Sequence, residues 1–260
     1  MASPVSVQDA IDELSREPLR HIVLLKHLLA YPDHVRLHRA AGPEGTALLV
    51  ALETSVSAYD RQAYPKAALA ALVTSDHPWL TEQLMAHVPP GVGVVFKLSQ
   101  EIDPAPIADR FPIVRRTSFV SFTSSARIAR DGDARVSTTV SDAAFRLFEQ
   151  QGHERGWLEP LLRAGKAFAC VLERDGEPVS GCFAFENYGP VWEVGGVVTA
   201  SPQRRKGFGG KVVRTALAEL NDRSLAPRYQ VDAHNEASIR LARSVGLAPF
   251  LTVVHYASDC

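Results

Sequence analysis

Three cations followed by three closely spaced glycines stand where a strand-like run gives way to a helix-like run, in the stretch VWEVGGVVTASPQRRKGFGGKVVRTALAEL. The residues in question are Arg204, Arg205, Lys206, Gly207, Gly209 and Gly210. Glycine lets the backbone approach a ligand closely, and the first turn of a helix presents N–H groups without acceptors. A corner of this composition therefore favours binding of a phosphate group. The alternative is a solvated basic turn before an ordinary helix.

Two common nucleotide-binding motifs do not fit this corner. The P-loop pattern G-x-x-x-x-G-K-[ST] fails because Val212 follows the Gly-Lys pair and Arg205 stands where the first glycine belongs. The dinucleotide pattern G-x-G-x-x-G begins well at Gly207 and Gly209 but has Val212 at its third glycine.

The pattern Arg204-x-x-Gly207-x-Gly209 resembles the coenzyme A signature R/Q-x-x-G-x-G/A of the GNAT acyltransferase superfamily. The preceding VVTASPQR is similar to the V-y-T-x-P-x-x-R run of the glycine N-acyltransferase-like branch. Further along, VDAHNEASIRLARSVGL resembles that branch's V-D-x-x-N-x-x-(A/S)-x-x-L-Y-x-x-x-G-F. The residues in register there are Asn235, Ser238, Leu241 and Gly246. The resemblance covers about residues 130–260 and implies the GNAT fold for them.

The resemblance also implies a site for acetyl-CoA or another acyl-CoA as co-substrate. Backbone N–H groups of the corner would hold the diphosphate, and the three cations would add positive charge for the phosphates. A strand edge left open would pair with the pantetheine amides, and Gly195-Gly196 predict a bulge that splays the sheet. The implied cofactor-binding residues are Val197, Val198, Arg204, Arg205, Lys206, Gly207, Phe208, Gly209, Gly210, Asn235 and Ser238.

Two of these roles have competing interpretations. Asn235 would contact the pantetheine arm, or it simply caps the helix that follows, with Glu236 in the first turn. Glu193 lies in the strand before the corner, where many GNAT enzymes carry a glutamate, and is our candidate general base. The alternative for Glu193 is a surface strand residue paired with a nearby arginine.

The sequence departs from the family pattern at the usual general acid. The tyrosine expected seven residues after the motif asparagine is Ala242 here, and Leu247 replaces the usual phenylalanine. A thiolate is a fair leaving group, with a pKa of roughly 8.5 for a simple thiol, so the acid is either dispensable or supplied elsewhere. Candidate substitutes are His234, His255 and Tyr256.

The composition is that of an ordinary globular protein. The chain has 260 residues, 46% of them hydrophobic and 22% charged, and its net charge is −1, so no global field recruits nucleic acid. We expect no signal peptide, no membrane span and no metal site, and we expect a reduced cytoplasmic protein. Cys170 and Cys182 fall in apolar runs, which favours buried free thiols over a disulfide.

Hydrophobic periodicity predicts an α/β (layered α+β) chain of two domains. Residues 1–124 read as an α/β domain without a recognisable motif, which is interpreted as a degenerate copy of the GNAT fold. Residues 125–260 read as the GNAT-type domain, with elements in the order ααβββαβαβ. The polar stretch SARIARDGDARVSTT between them predicts a linker or long loop.

The predicted function is CoA-dependent N-acyl transfer, most simply of an acetyl group, to an amine of a small-molecule acceptor. The alternative is a non-catalytic acyl-CoA-binding protein that kept the cofactor site and lost the chemistry, which Ala242 favours. For the N-terminal half, the alternatives to a degenerate copy are that it shapes the acceptor site or that it provides the surface of a homodimer.

Overall fold

The computed structural model describes residues 3–258, which divide into two compact units. The first unit contains residues 1–119 and 251–260, and the second contains Val120–Phe250. The first eleven elements are β1 (Ser3–Pro4), α1 (Val7–Leu14), α2 (Ile22–Ala30), β2 (Arg36–Gly42), β3 (Gly45–Glu53), α3 (Ala58–Ala63), β4 (Leu69–Ser75), α4 (Pro78–Met85), β5 (Val94–Ser99), α5 (Ala105–Ala108) and β6 (Val114–Thr123).

The remaining ten elements occupy the rest of the chain. They are β7 (Ala134–Ser137), α6 (Asp142–Glu149), α7 (Arg155–Arg163), β8 (Ala167–Arg174), β9 (Glu177–Tyr188), β10 (Val191–Thr199), α8 (Phe208–Asp222), β11 (Ala226–Asp232), α9 (Glu236–Ser244) and β12 (Ala248–Ser258). From α6 onward they follow the predicted order ααβββαβαβ, so the mixed α/β fold class is confirmed.

The two units repeat one pattern of strands. In the first, β1 to β4 are antiparallel neighbours in chain order, and β5 then pairs parallel to β4. In the second, β7 to β10 are likewise antiparallel neighbours, and β11 pairs parallel to β10. Two helices separate the first and second strands of each set, and α4 or α8 makes the crossover to the parallel strand.

Each sheet is extended by a strand from the other half of the sequence. β12 pairs antiparallel to β5 in the first unit, and β6, whose Val120–Thr123 belong to the second unit, lies beside β11. Residues 251–258 are therefore grouped with the first unit. The predicted division at residues 124 and 125 stays a prediction about independent folding.

Helices cover both faces of the sheet in the second unit. On one face α8 contributes Val212, Val213, Ala216, Leu217 and Leu220, the predicted apolar stripe, to a core shared with β8 to β11. On the other face α6 and α7 pack against β8, β9 and the end of β10. Sheet and helices thus bury an apolar layer on each side, which fixes β10 and β11 in the middle of the unit.

Single residues define the ends of two helices, and the predicted state of two cysteines is confirmed. Ser141 caps α6 by accepting a hydrogen bond from the Ala144 N–H, and Gly246, with φ +87°, ends α9. Cys170 and Cys182 are buried free thiols. They also lie directly opposite each other on β8 and β9, which the sequence did not predict.

The prediction of a linker between the two halves is wrong in part. Strand β7 lies inside the predicted stretch and pairs with β8. The polar residues before it are held on α8 by ion pairs, because Asp131 contacts Arg214 and Asp133 contacts Lys211. Arg130 makes the same kind of contact with Glu219. The many charges of this stretch are therefore matched by charges on a helix that lies about 80 residues further along, which a local window of sequence does not reveal.

These contacts predict how the segment responds to their loss. The double substitution Asp131→Asn and Asp133→Asn should speed tryptic cleavage after Arg127 and Arg130 several-fold, because the segment would detach from α8 more often. The midpoint of global unfolding should barely move, since exposed ion pairs contribute about 0–1 kcal/mol each. Time courses of trypsin digestion measure the effect. Asp142→Asn, which removes the pair with Arg155, is the control, and equal cleavage of all three proteins would contradict the anchoring role.

Candidate functional site

Strand β10 carries the bulge that Gly195-Gly196 predicted. Its register with β9 shifts between the pairs Gly195–Phe183 and Val198–Gly181, so one residue more stands on β10 than on β9. Gly196 has φ +60°, and a Cβ added there would lie only 2.0 Å from the Phe183 ring. Both the backbone conformation and the aromatic ring beneath it therefore require glycine at this position.

The bulge coincides with a separation of β10 from β11. Their parallel pairing runs from Val191 and Ala226 to Glu193 and Arg228, where it ends. Beyond that point an open cleft of about 170 Å³ lies between the two strands. Its lining consists of Val194, Gly195, Gly196, Val197, Tyr229, Gln230, Val231, Asp232, Asn235 and Ser238. The structure therefore confirms that the sheet splays near Val197.

The glycine corner connects β10 to α8 through two left-handed residues. Arg205 has φ +64° and Gly207 has φ +79°, and between them they turn the backbone into the helix. Gly207 is the N-cap and has no side chain to satisfy the first turn, so the N–H groups of Phe208, Gly209 and Gly210 stand at the open end of α8. Such an arrangement of N–H groups and helix dipole suits an anion.

The corner and the cleft adjoin each other. A Cβ added to Gly209 would lie 3.7–3.8 Å from Val197, Thr199 and Leu241, so this part of α8 packs directly on the cleft strand. Two of the three predicted cations bond locally, with Arg204 donating to the Thr199 carbonyl and Lys206 donating to Gln203.

The other predicted binding residues divide into two groups. Val197, Asn235 and Ser238 line the cleft, whereas Val198 packs against α6 and α7, and its carbonyl accepts a hydrogen bond from Ser180. Asn235 caps α9, because its side-chain oxygen accepts the Ser238 N–H at 3.0 Å. The capping interpretation of Asn235 is thus observed, and its place in the cleft leaves the amide group beside any bound chain.

Glu193 takes part in a largely buried ion pair at the inner end of the cleft. Its Oε2 accepts hydrogen bonds from Arg228 at 2.7 Å and from Asn187 at 2.5 Å. The Arg228 side chain is 1% exposed and that of Glu193 is 16% exposed. The arginine of the alternative interpretation is therefore present, but the pair lies inside the fold rather than on its surface.

Arg228 is held by hydrogen bonds as well as by charge. It donates to Ser121 of β6 and to Gln230, and its third contact is Glu193. Burial lowers the pKa of Arg228 from its ordinary value, and the Glu193 carboxylate opposes that shift. Because a buried cation without its partner is costly, the arginine fixes the position of the Glu193 carboxylate.

An aromatic wall stands beside Glu193 on the same face of the sheet. Phe185 is its cross-strand neighbour on β9, and Trp157 of α7 packs edge-on against Phe185 with ring centroids 5.1 Å apart. His153 packs on Phe183, and its pKa is lowered by burial while the Glu193 charge opposes this. Trp157 remains 43% exposed, which leaves an aromatic surface open next to the carboxylate.

The structure separates the candidate acids. Ala242 lies on α9 and is fully buried in the core that α9 shares with α8. His255 and Tyr256 belong to the first unit, where His255 is hydrogen-bonded to Tyr64 and burial lowers the pKa of His255 to about 3. His234 is not among the residues that line the cleft, whereas Tyr229 is.

Sequence reasoning missed several residues that the site brings together. Arg228, Asn187 and Tyr229 carry no motif, and their importance arises from pairing across strands. The available signal was the arginine in the predicted strand PRYQVDA, since a charge that is buried in a sheet needs a partner.

Comparison with known proteins supports this description. Residues 135–247 match the model of the acetyltransferase (GNAT) family. This segment, which contains the bulge, the cleft and the glycine corner, is therefore similar to the acetyltransferase (GNAT) family. A comparison with curated proteins found no match.

Solved structures of similar architecture extend over the whole chain. An acetyltransferase of the GNAT family from Colwellia psychrerythraea aligns with a TM-score of 0.62 at 10% identity, covering 99% of both chains. A GCN5-related N-acetyltransferase from Sphaerobacter thermophilus aligns at 0.57 and 15%, covering 100% of this chain and 95% of that one. A tandem GNAT protein from the clavulanic acid biosynthesis pathway aligns at 0.53 and 12%, covering 100% and 98%. At these identities the likeness shows the fold.

Metal-binding clusters and membrane-spanning helices are both absent from the described residues. Within residues 3–258 no three His, Cys, Asp or Glu side chains are grouped so that they could hold a metal ion. Over the same residues no helix has both the length and the apolar character of a membrane span.

The bulge gives a direct test of the constraint at Gly196. Gly196→Ala should destabilise the protein by about 2–4 kcal/mol, because alanine is strained at positive φ and its methyl group would displace Phe183. Gly195→Ala is the matched control, since a Cβ there would meet the Phe183 ring at an ordinary 3.5 Å. Urea unfolding of the three proteins measures the difference, and similar losses for both variants would refute it.

Proposed function

We propose that the protein is an N-acyltransferase that uses acetyl-CoA, or another acyl-CoA, to acylate an amine of a small molecule. The observation that carries the proposal is the continuity of two features: a cleft between β10 and β11 and an anion-binding helix terminus at its mouth. A long ligand with a diphosphate at one end and an amide-containing arm at the other matches this geometry. The family match of residues 135–247 supports the same conclusion.

Each part of the site would act on a different part of the co-substrate. The N–H groups of Phe208, Gly209 and Gly210 would bind the diphosphate, with Arg204, Arg205 and Lys206 adding charge. Val197, half-buried on the separated edge of β10, would pair with the pantetheine arm as an added strand does. Asn235 and Ser238 would border the arm on the side of α9.

Glu193 would accept the proton of the attacking amine, directly or through one water molecule. An ordinary alkylamine has a pKa near 10.4, so at neutral pH its reactive form is scarce and a base raises the rate. The carboxylate is oriented by Arg228 and Asn187 and stands where the two strands begin to separate. The acyl carbon would lie in the cleft, so an amine on the Glu193 side reaches it from the face of the sheet that carries the aromatic wall.

The first unit has the strand pattern but lacks the site. There β4 and β5 remain paired over five positions, from Leu69–Val94 to Val73–Leu98, where the second unit separates after three. We infer that it is a copy of the same fold that lost cofactor binding. The similarity to a tandem GNAT protein supports this inference.

Cofactor binding is tested at the helix terminus. Gly209→Asp should abolish binding of acetyl-CoA, because a carboxylate would stand against the diphosphate at the first turn of α8. Gly209→Ala is the matched control, since its methyl group fits at 3.7–3.8 Å from its neighbours and adds no charge. Calorimetric titration with acetyl-CoA measures both, and equal affinities of wild type and Gly209→Asp would exclude this site.

The base is tested by a neutral substitution. Glu193→Gln should lower turnover at neutral pH by roughly 10²–10⁴-fold, the usual loss for a general base, with little change in acetyl-CoA affinity. The defect should shrink as the pH approaches the pKa of the acceptor amine, because less of the amine then needs deprotonation. Glutamine is chosen because its side-chain oxygen still accepts a hydrogen bond from Arg228. Alanine would leave this buried cation without an acceptor at that position.

The measurement is a pH–rate series of thiol release from acetyl-CoA across a panel of amines. A Gln variant with wild-type turnover at every pH would make Glu193 a structural partner of Arg228. A wild type that binds acetyl-CoA but acylates no amine would favour the alternative of a non-catalytic acyl-CoA-binding protein, to which the buried Ala242 also points.

A further inference from the structure

Tyr229 lines the cleft at the level where β10 and β11 separate. It follows Arg228, the last residue of β11 that pairs with β10, and its side chain points to the opposite face of the sheet. The residue is 3% exposed and packs with Trp192, Val194 and Val231. It also lines the cleft together with Ser238.

We propose that Tyr229 is a catalytic residue whose hydroxyl donates a hydrogen bond to the CoA sulfur as the acyl–sulfur bond breaks. The proposal rests on the acyl transfer described above. The hydrogen-bond donor to the sulfur would then come from β11. Helix α9 does not supply one at Ala242, because alanine has only a methyl group.

The hydroxyl is suited to donate rather than to ionise. Burial raises the pKa of Tyr229 to about 12, so the phenol keeps its proton over the whole physiological range. A hydrogen bond with Ser238 opposes this shift of the Tyr229 pKa. A tyrosine hydroxyl both accepts and donates, so the phenolic proton is left for a ligand in the cleft.

The step balances without any further reactant. The amine nitrogen forms a bond to the acyl carbon, the carbon–sulfur bond breaks, and its electron pair remains on sulfur. The proton lost by nitrogen passes to Glu193 or to water. The sulfur leaves as a thiolate, and Tyr229 stabilises that charge by hydrogen bonding without giving up its proton, since a simple thiol is the stronger acid with a pKa of roughly 8.5.

Free CoA provides a test that does not depend on turnover. In the complex, the thiol of CoA should ionise at a pH about one to two units lower in wild type than in Tyr229→Phe, because a hydrogen bond to a charged group is worth about 1.5–3 kcal/mol. The thiolate absorbs in the ultraviolet, so a pH titration of the complex reads its ionisation directly. Tyr31→Phe, which removes a phenol of the first unit at the end of α2, should titrate as wild type does.

Turnover gives a second, independent readout. Tyr229→Phe should reduce kcat at least tenfold while the affinity for acetyl-CoA, measured by calorimetry, stays within about twofold of wild type. If Tyr229→Phe fails to fold, site-specific replacement of Tyr229 by 3-fluorotyrosine keeps the shape and strengthens the donor. That protein should lower the ionisation pH of the bound thiol below the wild-type value.

The outcomes separate this proposal from the one on which it rests. Equal titration of the bound thiol in wild type and Tyr229→Phe, or no response to fluorination, would show that Tyr229 is only part of the core. A wild type that does not bind CoA would overturn both proposals, whereas binding with an unchanged thiol titration would overturn this one alone.

Discussion

The separation of β10 from β11 is the constraint on which the rest of the site depends. Backbone groups that pair within a sheet are unavailable to a ligand, so an added chain can bind only where pairing stops. Here pairing stops at Glu193 and Arg228. The extra residue on β10, the positive φ of Gly196 and the Phe183 ring against it together bend the strand away from its neighbour.

The first unit shows what the same architecture does without that constraint. Its fourth and fifth strands continue to pair as far as Val73 and Leu98. Leu98, the last β5 residue of this pairing, is an ordinary core residue. The first unit too contains a buried basic side chain on the fifth strand, since Lys97 pairs with Asp60 at 2.8 Å. In that unit, however, the carboxylate comes from helix α3 rather than from the neighbouring strand, so the pair closes a core instead of marking the end of a cleft.

Whether a feature of the fold or the site could be predicted from the sequence depends on how far apart in the chain its interacting residues lie. The strand-to-helix corner at Gly207 and the bulge at Gly195-Gly196 depend on residues within a few positions of one another, and the sequence predicted both. The pairing of Glu193 with Arg228 joins residues 35 positions apart, and the contact of Lys211 with Asp133 joins residues 78 apart. No local pattern specifies such partners, because they are chosen by the order of strands in the sheet. For the same reason β12 was predicted as a strand but not as a neighbour of β5.

The two faces of the sheet at the point of separation divide the chemistry between them. Successive residues of a strand point to opposite faces, so Arg228 with Glu193 lies on one side and Tyr229 on the other. An acyl group held between the strands would thus have a carboxylate toward the attacking amine and a phenol toward the departing sulfur. A proton acceptor and a hydrogen-bond donor placed on the same face would pair with each other instead of with the reactants. Because successive residues of β11 point to opposite faces, the two groups stay apart, and both border the cleft because β10 no longer pairs with β11 beyond Glu193 and Arg228.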